Sequence, residues 1–162
     1  MAQQTFLENL SAGFYLVTTA SSQQELLKLT QTSEKGLIGE IDDSFHQLPY
    51  LSLKENLLLG IERKRRPKFI NYAKLVNFDM NLFIKIQPQL TYLDQIKLQF
   101  IRFLLKEKGI IYLYDYFEEL TIQETQWLLH FCQKLAQQQQ ICIFLFSTDE
   151  QLIHTNIIDE IL

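Results

Sequence analysis

Long hydrophobic runs are missing from this sequence of 162 residues. The longest apolar segments, at 110–114 and 141–146, have the length of strands and fall far short of the roughly 18–20 residues that a membrane-spanning helix needs. Residues 1–9 have neither the basic start nor the apolar segment of a signal peptide. These absences predict a cytoplasmic protein.

Cysteine and positive charge are also scarce. The two cysteines, Cys132 and Cys142, lie in apolar stretches without the spacing of a metal site or a disulfide framework, so we expect them in the core. The 15 Lys and Arg residues are outnumbered by 19 Asp and Glu residues, which gives a formal net charge of −4 at pH 7. The surface as a whole is therefore not basic, and we expect no nucleic-acid partner.

Strand and helix patterns alternate along the chain. Thr121 and Glu124 have the spacing of a capping box, which predicts a helix from there to about Ala136. The polar residues 137–140 are then interpreted as a short linker. Periodic apolar residues predict another helix at 93–105. Short apolar runs bounded by turn residues predict strands at 14–17, 36–41, 110–114, 141–146 and 157–162.

Two of these strands, 110–114 and 141–146, are apolar almost throughout. Such runs are typical of strands that a parallel sheet buries on both faces. The pattern therefore predicts a three-layer α/β domain with a largely parallel sheet. In sheets of this kind functional residues gather at the carboxyl ends of the strands, which here are the loops at 18–24, 115–119 and 147–150.

Several segments occur in an order that is informative as a set. Residues 90–105 combine a polar start at Thr91 with a basic, apolar helix, and the strand after it ends in Asp115. Upstream, Gln47 precedes a short helix that begins Leu-Lys-Glu-Asn. Together with the strand at 14–17 and the helix after it, these segments resemble the signature helix, Walker B strand, Q-loop and Walker A unit of the ABC (ATP-binding cassette) transporter nucleotide-binding domain.

The resemblance implies a P-loop NTPase-like fold in a single domain, residues 1–162, with 61–89 as a reduced helical subdomain insertion. It also implies which positions would face a nucleotide. Gln47 would be the Q-loop glutamine, Thr91 would take the place of the signature serine, and Asp115 would be the Walker B aspartate. The residual nucleotide-facing positions are Ser21, Ser22, Gln23, Gln47, Thr91 and Asp115.

The Walker A stretch at 17–25 lacks what triphosphate binding needs. It contains no glycine to turn backbone N–H groups toward phosphates, and Gln23 stands where the lysine belongs. Tyr116 replaces the glutamate that activates water, and tyrosine is a poor base at neutral pH. Asp149 replaces the switch histidine. We therefore expect no catalytic residue, no metal site and no cofactor, with weak binding of ATP and Mg²⁺ left open.

Two charged clusters have competing interpretations. Asp115, Glu118 and Glu119 form either a residual metal site or, as we prefer, a solvated acidic loop before a helix N-terminus. The basic segment is either an ordinary solvated helix end or a surface for docking a partner. Its members, the partner-docking candidates, are Arg63, Lys64, Arg65, Arg66 and Lys68.

The retained order of elements and the lost chemistry favour a non-catalytic pseudo-ATPase that acts as a structural or regulatory subunit of an ABC transporter system. Its partners would be an intact ABC ATPase subunit and a membrane permease, which would bring it to the inner face of the membrane, or a second copy in a homodimer. Three alternatives stay open: a stand-alone protein–protein interaction module, a weak ATP-binding subunit that needs a catalytic partner, and an enzyme with an unusual phosphate site.

Overall fold

Five strands form one sheet in the computed structural model, which describes residues 11–33, 38–42, 45–115 and 117–162, without the side chains of 29–33. The order across the sheet is β2-β3-β4-β1-β5. The pairings of β1 with β4, of β1 with β5 and of β3 with β4 are all parallel. The strands are β1 (Gly13–Val17), β2 (Ile38–Ile41), β3 (Ile110–Tyr114), β4 (Cys142–Phe146) and β5 (Glu160–Ile161).

Helices connect these strands, as the alternating pattern predicts. Three short 3-10 helices, Arg66–Lys68, Met80–Ile84 and Phe117–Glu119, lie between them. Among the described residues no helix is long and apolar enough to cross a bilayer. The α-helices are α1 (Ala20–Ser33), α2 (Leu53–Leu58), α3 (Phe69–Leu75), α4 (Tyr92–Leu105), α5 (Ile122–Gln139) and α6 (Glu150–Ile153).

The sheet is the centre of a core with two faces. On one face, alternate residues of β1, β3 and β4 form an aromatic-rich cluster that Leu26 of α1 covers. Tyr15 stacks on Phe144 there with ring centroids 5.2 Å apart. The intervening strand residues point to the other face, and α5 packs against β1 and β4. Helices above and below a parallel sheet confirm the predicted three-layer α/β fold.

Helix α5 begins as predicted and ends later. The Thr121 side chain accepts a hydrogen bond from Glu124 N, and the Glu124 carboxylate accepts one from Thr121 N, which completes the capping box. The prediction of a linker at 137–140 is wrong, because the helix continues to Gln139 and closes on Gln140 in the left-handed region (φ 54°). Glutamine is a good helix former, so a run of glutamines extends a helix rather than ending it.

The chain divides into two compact units. Unit 1, residues 1–40 and 108–162, contains the sheet apart from the last residue of β2. Unit 2, residues 41–107, contains α2, α3 and α4, and is larger than the predicted insertion at 61–89. Apolar rings fill its interior, where Phe83 contacts both Phe69 and Phe78. That residues 1–162 form a single domain, as the sequence analysis expects, stays a prediction.

Candidate functional site

The loops that follow β1, β3 and β4 border one pocket of about 720 Å³ in unit 1. Parallel strands end at the same edge of the sheet, so the three loops meet there. The pocket wall includes Gln23 from the first loop region, Asp115 from the second and Ser147 from the third. The segments that follow these three strands therefore lie together, as expected for a parallel sheet, while a functional role for them stays a prediction.

The first border is a helix start rather than a long loop. Helix α1 begins at Ala20, so the predicted loop at 18–24 is wrong over most of its length. Thr19 Oγ1 accepts a hydrogen bond from Ser22 N at 3.1 Å and donates one to Ser22 Oγ at 2.8 Å. Ser21 Oγ lies 3.1 Å from the same Thr19 oxygen. The hydroxyls of Ser21 and Ser22 thus serve the helix start, and neither serine lines the pocket.

The second border is built on Asp115, directly after β3. One carboxylate oxygen accepts a hydrogen bond from Phe117 N at 3.2 Å, and the other accepts a short one from the Ser147 hydroxyl. Its own N–H donates to Phe146 O on the neighbouring strand β4 at 3.1 Å. Each of these bonds joins the loop after β3 either to itself or to β4. The position that resembles the Walker B aspartate therefore holds two strand ends together.

The third border continues this network. Ser147 N donates to Val17 O at the end of β1, and Ser147 Oγ accepts a hydrogen bond from Asp149 N at 3.0 Å. The Asp149 carboxylate then accepts a hydrogen bond from Gln151 N at 2.9 Å and caps α6. Because a carboxylate accepts helix N–H groups well, aspartate suits this local role.

The electrostatic character of the pocket is acidic. Asp115, Glu118 and Asp149 line it, whereas no lysine or arginine occurs among its lining residues in the described chain. Its apolar wall comes from side chains at the strand ends, including Tyr114 stacked on Phe146 at 5.1 Å. No group of three or more metal-ligating side chains that could hold an ion occurs among the described residues. The arrangement attracts cations and repels anions.

The other predicted nucleotide-facing residues belong to unit 2. Thr91 is the N-cap of α4, where it and Asp94 form a capping box. Gln47 has a buried side-chain oxygen for which no hydrogen-bond partner occurs among the described residues. Of the six positions, the pocket wall includes only Gln23 and Asp115. Tyr116, which the sequence analysis places at the catalytic glutamate, lies outside the described residues.

The basic segment at 63–68 is partly neutralised within unit 2. Arg65 forms an ion pair with Glu107 at 2.9 Å, and Lys68 approaches the same carboxylate at 3.7 Å. Lys64 pairs with Glu62 at 3.2 Å. Arg66 Nε donates a hydrogen bond to Ile61 O at 3.0 Å. Four of the five basic residues, all except Arg65, remain exposed.

Sequence reasoning misses the residue that organises the start of unit 2. Asn56 is 3% exposed. Its side-chain amide donates to the carbonyls of Leu48, Leu51 and Ser52 at 3.1–3.2 Å, and its oxygen accepts from Leu48 N at 2.6 Å. The sequence does contain one signal for this role, because an asparagine on the apolar side of a helix is expected to be buried. A buried amide needs hydrogen-bond partners.

Arg102 caps the C-terminal end of α2. Its guanidinium donates to Asn56 O at 3.2 Å and to Leu59 O at 3.1 Å, two carbonyls in the last turn of that helix. Burial lowers the pKa of Arg102 from its ordinary value, although arginine remains charged at any physiological pH. A cation at a helix C-terminus is favourable for the helix dipole. Arg102 thus has a structural role at the end of α2.

Solved structures with a similar fold include ATP-binding cassettes of ABC transporters. No protein-family model matches the chain, and no curated protein matches its sequence. The dimeric cassette MJ0796, described as a bacterial ABC transporter cassette, is 15% identical with a TM-score of 0.64, over 88% of this chain and 78% of that one. The ADP conformation of MJ1267, an ATP-binding cassette of an ABC transporter, is 10% identical with a TM-score of 0.70, over 92% and 75%.

A third similar structure is cbiO1 from Clostridium perfringens, described as part of the ABC transporter complex cbiONQ. It is 12% identical with a TM-score of 0.69, over 86% of this chain and 68% of that one. At such identities the likeness shows the fold and not the activity. The chain therefore has the fold of the ATP-binding cassettes of ABC transporters, as the sequence analysis predicts.

Proposed function

We propose that this chain, which has the ATP-binding cassette fold, is a non-catalytic ABC-type domain that acts as a structural or regulatory subunit of an ABC transporter system. The observation that carries the proposal is the charge of the pocket at the strand ends. Asp115, Glu118 and Asp149 line it without an opposing lysine or arginine among the described lining residues. A pocket of this sign disfavours a nucleoside triphosphate.

The residues present do not fit a nucleotide with Mg²⁺. A phosphate cradle needs N–H groups turned toward the ligand, a lysine and a hydroxyl for the metal. Here α1 starts directly after Thr19, without a glycine in that stretch, and Gln23 takes the place of the lysine. Adopting left-handed backbone without glycine costs about 1–2 kcal/mol per residue. We therefore derive no hydrolytic step for this chain.

The hydrogen bonds of Asp115 support the same conclusion. A Walker B aspartate must direct a carboxylate oxygen toward the metal or its water. In this chain both Asp115 oxygens already accept hydrogen bonds, from Phe117 N and from the Ser147 hydroxyl. The carboxylate is thus engaged in holding the β3 and β4 ends, a role that persists without nucleotide.

Partners follow from what the similar structures do. MJ0796 is dimeric, and cbiO1 is part of a transporter complex. By analogy, this chain would pair with an intact ABC ATPase subunit and a membrane permease, or with a second copy of itself. A chain that keeps the cassette shape while losing its chemistry would then contribute contacts rather than turnover.

Calorimetry with Mg-ATP and Mg-ADP, combined with melting curves, tests the proposal. We expect no binding heat and no change in melting temperature at millimolar nucleotide. A ligand at 100 times its Kd would stabilise the fold by about 2.7 kcal/mol, which a melting curve detects readily. Saturable binding would favour the alternative of a weak ATP-binding subunit, and turnover by the pure chain would overturn the proposal.

A pair of matched variants shows whether pocket charge is the cause. Gln23→Lys with Glu118→Gln adds one positive charge and removes one negative charge, a net change of +2 at residues that line the pocket. Gln24→Lys with Glu119→Gln makes the same charge change at exposed neighbours outside the lining. If charge excludes nucleotide, the first variant gains stabilisation by Mg-ATP relative to the second. Equal responses of the two variants would contradict the electrostatic explanation.

A further inference from the structure

The two units carry charges of opposite sign. Unit 1 contains four Lys and Arg residues and twelve Asp and Glu residues, a net charge of −8. Unit 2 contains eleven Lys and Arg residues and seven Asp and Glu residues, a net charge of +4. The overall charge of −4 conceals this division. An anionic surface would attract unit 2 and repel unit 1.

Positive charge in unit 2 is concentrated in one segment. Five of the six residues from Arg63 to Lys68 are basic, and the acids paired with them are Glu62 and Glu107. Five cations and two carboxylates leave three positive charges. The acids are exposed, with Glu62 and Glu107 side chains more than half accessible, although Arg65 is only 22% accessible. Exposed ion pairs are worth little, so an anionic ligand can replace them.

Apolar side chains adjoin this charge. Arg66 borders a groove of about 520 Å³ that runs along α2 and is also lined by Leu58 and Leu59. Leu59 is 49% exposed, and Ile70, just after the basic segment, is 41% exposed. Lys54 borders the same groove, with its ammonium 5.0 Å from the centre of the Phe69 ring. Two basic side chains and several apolar ones thus line one groove together with a single acid, Glu55, and the groove adjoins the basic segment through Arg66.

We propose that this surface binds directly to anionic lipid bilayers. Clustered lysines and arginines are attracted to acidic headgroups by about 1 kcal/mol each, and exposed apolar side chains add a second attachment. The long basic side chains can meet mobile headgroups without a fixed geometry. We call this surface the basic face, and it consists of Lys54, Leu59, Arg63, Lys64, Arg66, Lys68 and Ile70.

Nucleic acid is a less suitable occupant. Sequence-tolerant binding of single strands relies on stacking of successive bases on several exposed aromatic rings. Phe69, the ring against Lys54, is 7% exposed, and no aromatic side chain occurs among the described residues that line the groove; Tyr50, just before the groove residue Leu51, is a single ring at 72% exposure. Leucine and isoleucine offer no comparable stacking surface, whereas they insert well among lipid headgroups and acyl chains. The inference goes beyond the proposed function and requires no nucleotide.

Sedimentation of the full chain with vesicles tests the inference. The vesicles contain phosphatidylcholine alone or phosphatidylcholine with phosphatidylserine, and no nucleotide is added. We expect binding only to the phosphatidylserine vesicles, with a loss of binding as salt is raised. Equal binding to both kinds of vesicle, or to neither, would overturn the inference. Failure here leaves the proposed function standing, because that proposal depends on the pocket of unit 1.

Matched variants locate the surface. The double variant Arg63→Gln with Lys64→Gln should lower the vesicle partition coefficient. The expected loss is about fivefold for each positive charge removed that no neighbouring acid neutralises, which corresponds to about 1 kcal/mol. Lys28→Gln with Lys134→Gln makes the same charge change at exposed sites of unit 1 and should have little effect. An equal loss in both pairs would show a response to net charge alone and would overturn the basic face.

A second pair tests the apolar contribution. Leu59→Ser should weaken vesicle binding, whereas Ile122→Ser, at a 73% exposed isoleucine of unit 1, should not. If neither variant changes binding while the charge pair does, apolar attachment is wrong and the surface is purely electrostatic. Binding of an RNA homopolymer that is lost in the Arg63 and Lys64 variant would identify a nucleic-acid site instead and overturn the lipid assignment.

Discussion

At the scale of single residues, the site keeps side chains that resemble catalytic ones and uses them for structure. Asp115 holds the loop after β3 through Phe117 N and the Ser147 hydroxyl. Ser147 in turn accepts a hydrogen bond from Asp149 N and so extends the connection to α6. Asp115, Ser147 and Asp149 therefore form a hydrogen-bonded chain along one edge of the sheet.

Replacing Asp115 measures this structural role. Asp115→Ala leaves Phe117 N and the Ser147 hydroxyl without their acceptor, so we expect a loss of about 1–3 kcal/mol in the free energy of unfolding. Urea denaturation measures it. Glu119→Ala, at an exposed acid in the same loop region, serves as the control and should stay within about 0.5 kcal/mol of the parent chain. A silent Asp115→Ala would contradict the structural assignment.

Asn56 makes a second prediction at this scale. Asn56→Ala removes four hydrogen bonds and leaves part-buried backbone groups of Leu48, Leu51 and Ser52 without that partner. We expect a cost of about 2–4 kcal/mol, because each unsatisfied buried group carries a desolvation penalty. The matched control is Asn71→Ala on the exposed side of α3. Equal unfolding free energies for the two variants would refute the importance of the Asn56 contacts.

At the scale of elements, the sequence predicts what local chemistry determines. The apolar strands β3 and β4, the helix α4 and the capping box of α5 all follow from periodicity and capping residues. The start of α1 is missed because its cap, Thr19 with Ser22, precedes the apolar part of the helix. The sequence also does not reveal that β4 lies between β3 and β1, since strand order depends on long-range packing.

The candidate site, too, can be predicted from the sequence only in part. That the loops after β1, β3 and β4 meet could be predicted, because parallel strands share their carboxyl edge. The partners of Asp115 could not, since Ser147 is 32 residues away along the chain. Asn56 escapes notice for a related reason: its bonds join backbone groups up to eight residues away, which no side-chain motif marks.

The end of α5 gives a prediction for a whole element. Gln140 adopts a left-handed conformation (φ 54°) that glycine tolerates without penalty. Gln140→Gly should therefore raise the free energy of unfolding by up to about 1 kcal/mol, although it loses the side-chain bond to Gln137 O. Gln138→Gly, two residues earlier inside the helix, should lower it by about 1 kcal/mol. The same sign of change in both variants would contradict the assigned helix end.

At the scale of the whole molecule, the fold identifies the architecture, whereas the charge distribution bears on which ligands the molecule can bind. The sheet order and the likeness to cassettes identify the architecture, with TM-scores of 0.64–0.70 for the three structures compared. Charge is a separate property: acids line the pocket of unit 1, and unit 2 carries a net charge of +4. A shared fold at 10–15% identity therefore does not by itself establish ATP hydrolysis.

The labelling rates of the two cysteine thiols measure global unfolding of unit 1. Cys132 lies on the buried side of α5 and is fully buried, and Cys142 at the start of β4 is half-buried. Burial raises the pKa of both thiols, and reaction requires the thiolate, so native labelling at neutral pH should be slow and should quicken as pH rises. In a Cys142→Ser variant, the remaining Cys132 should react only when the fold opens, at a rate that follows the unfolding equilibrium in urea. Native labelling of Cys132 as fast as that of a free thiol would contradict a sheet sealed by α5.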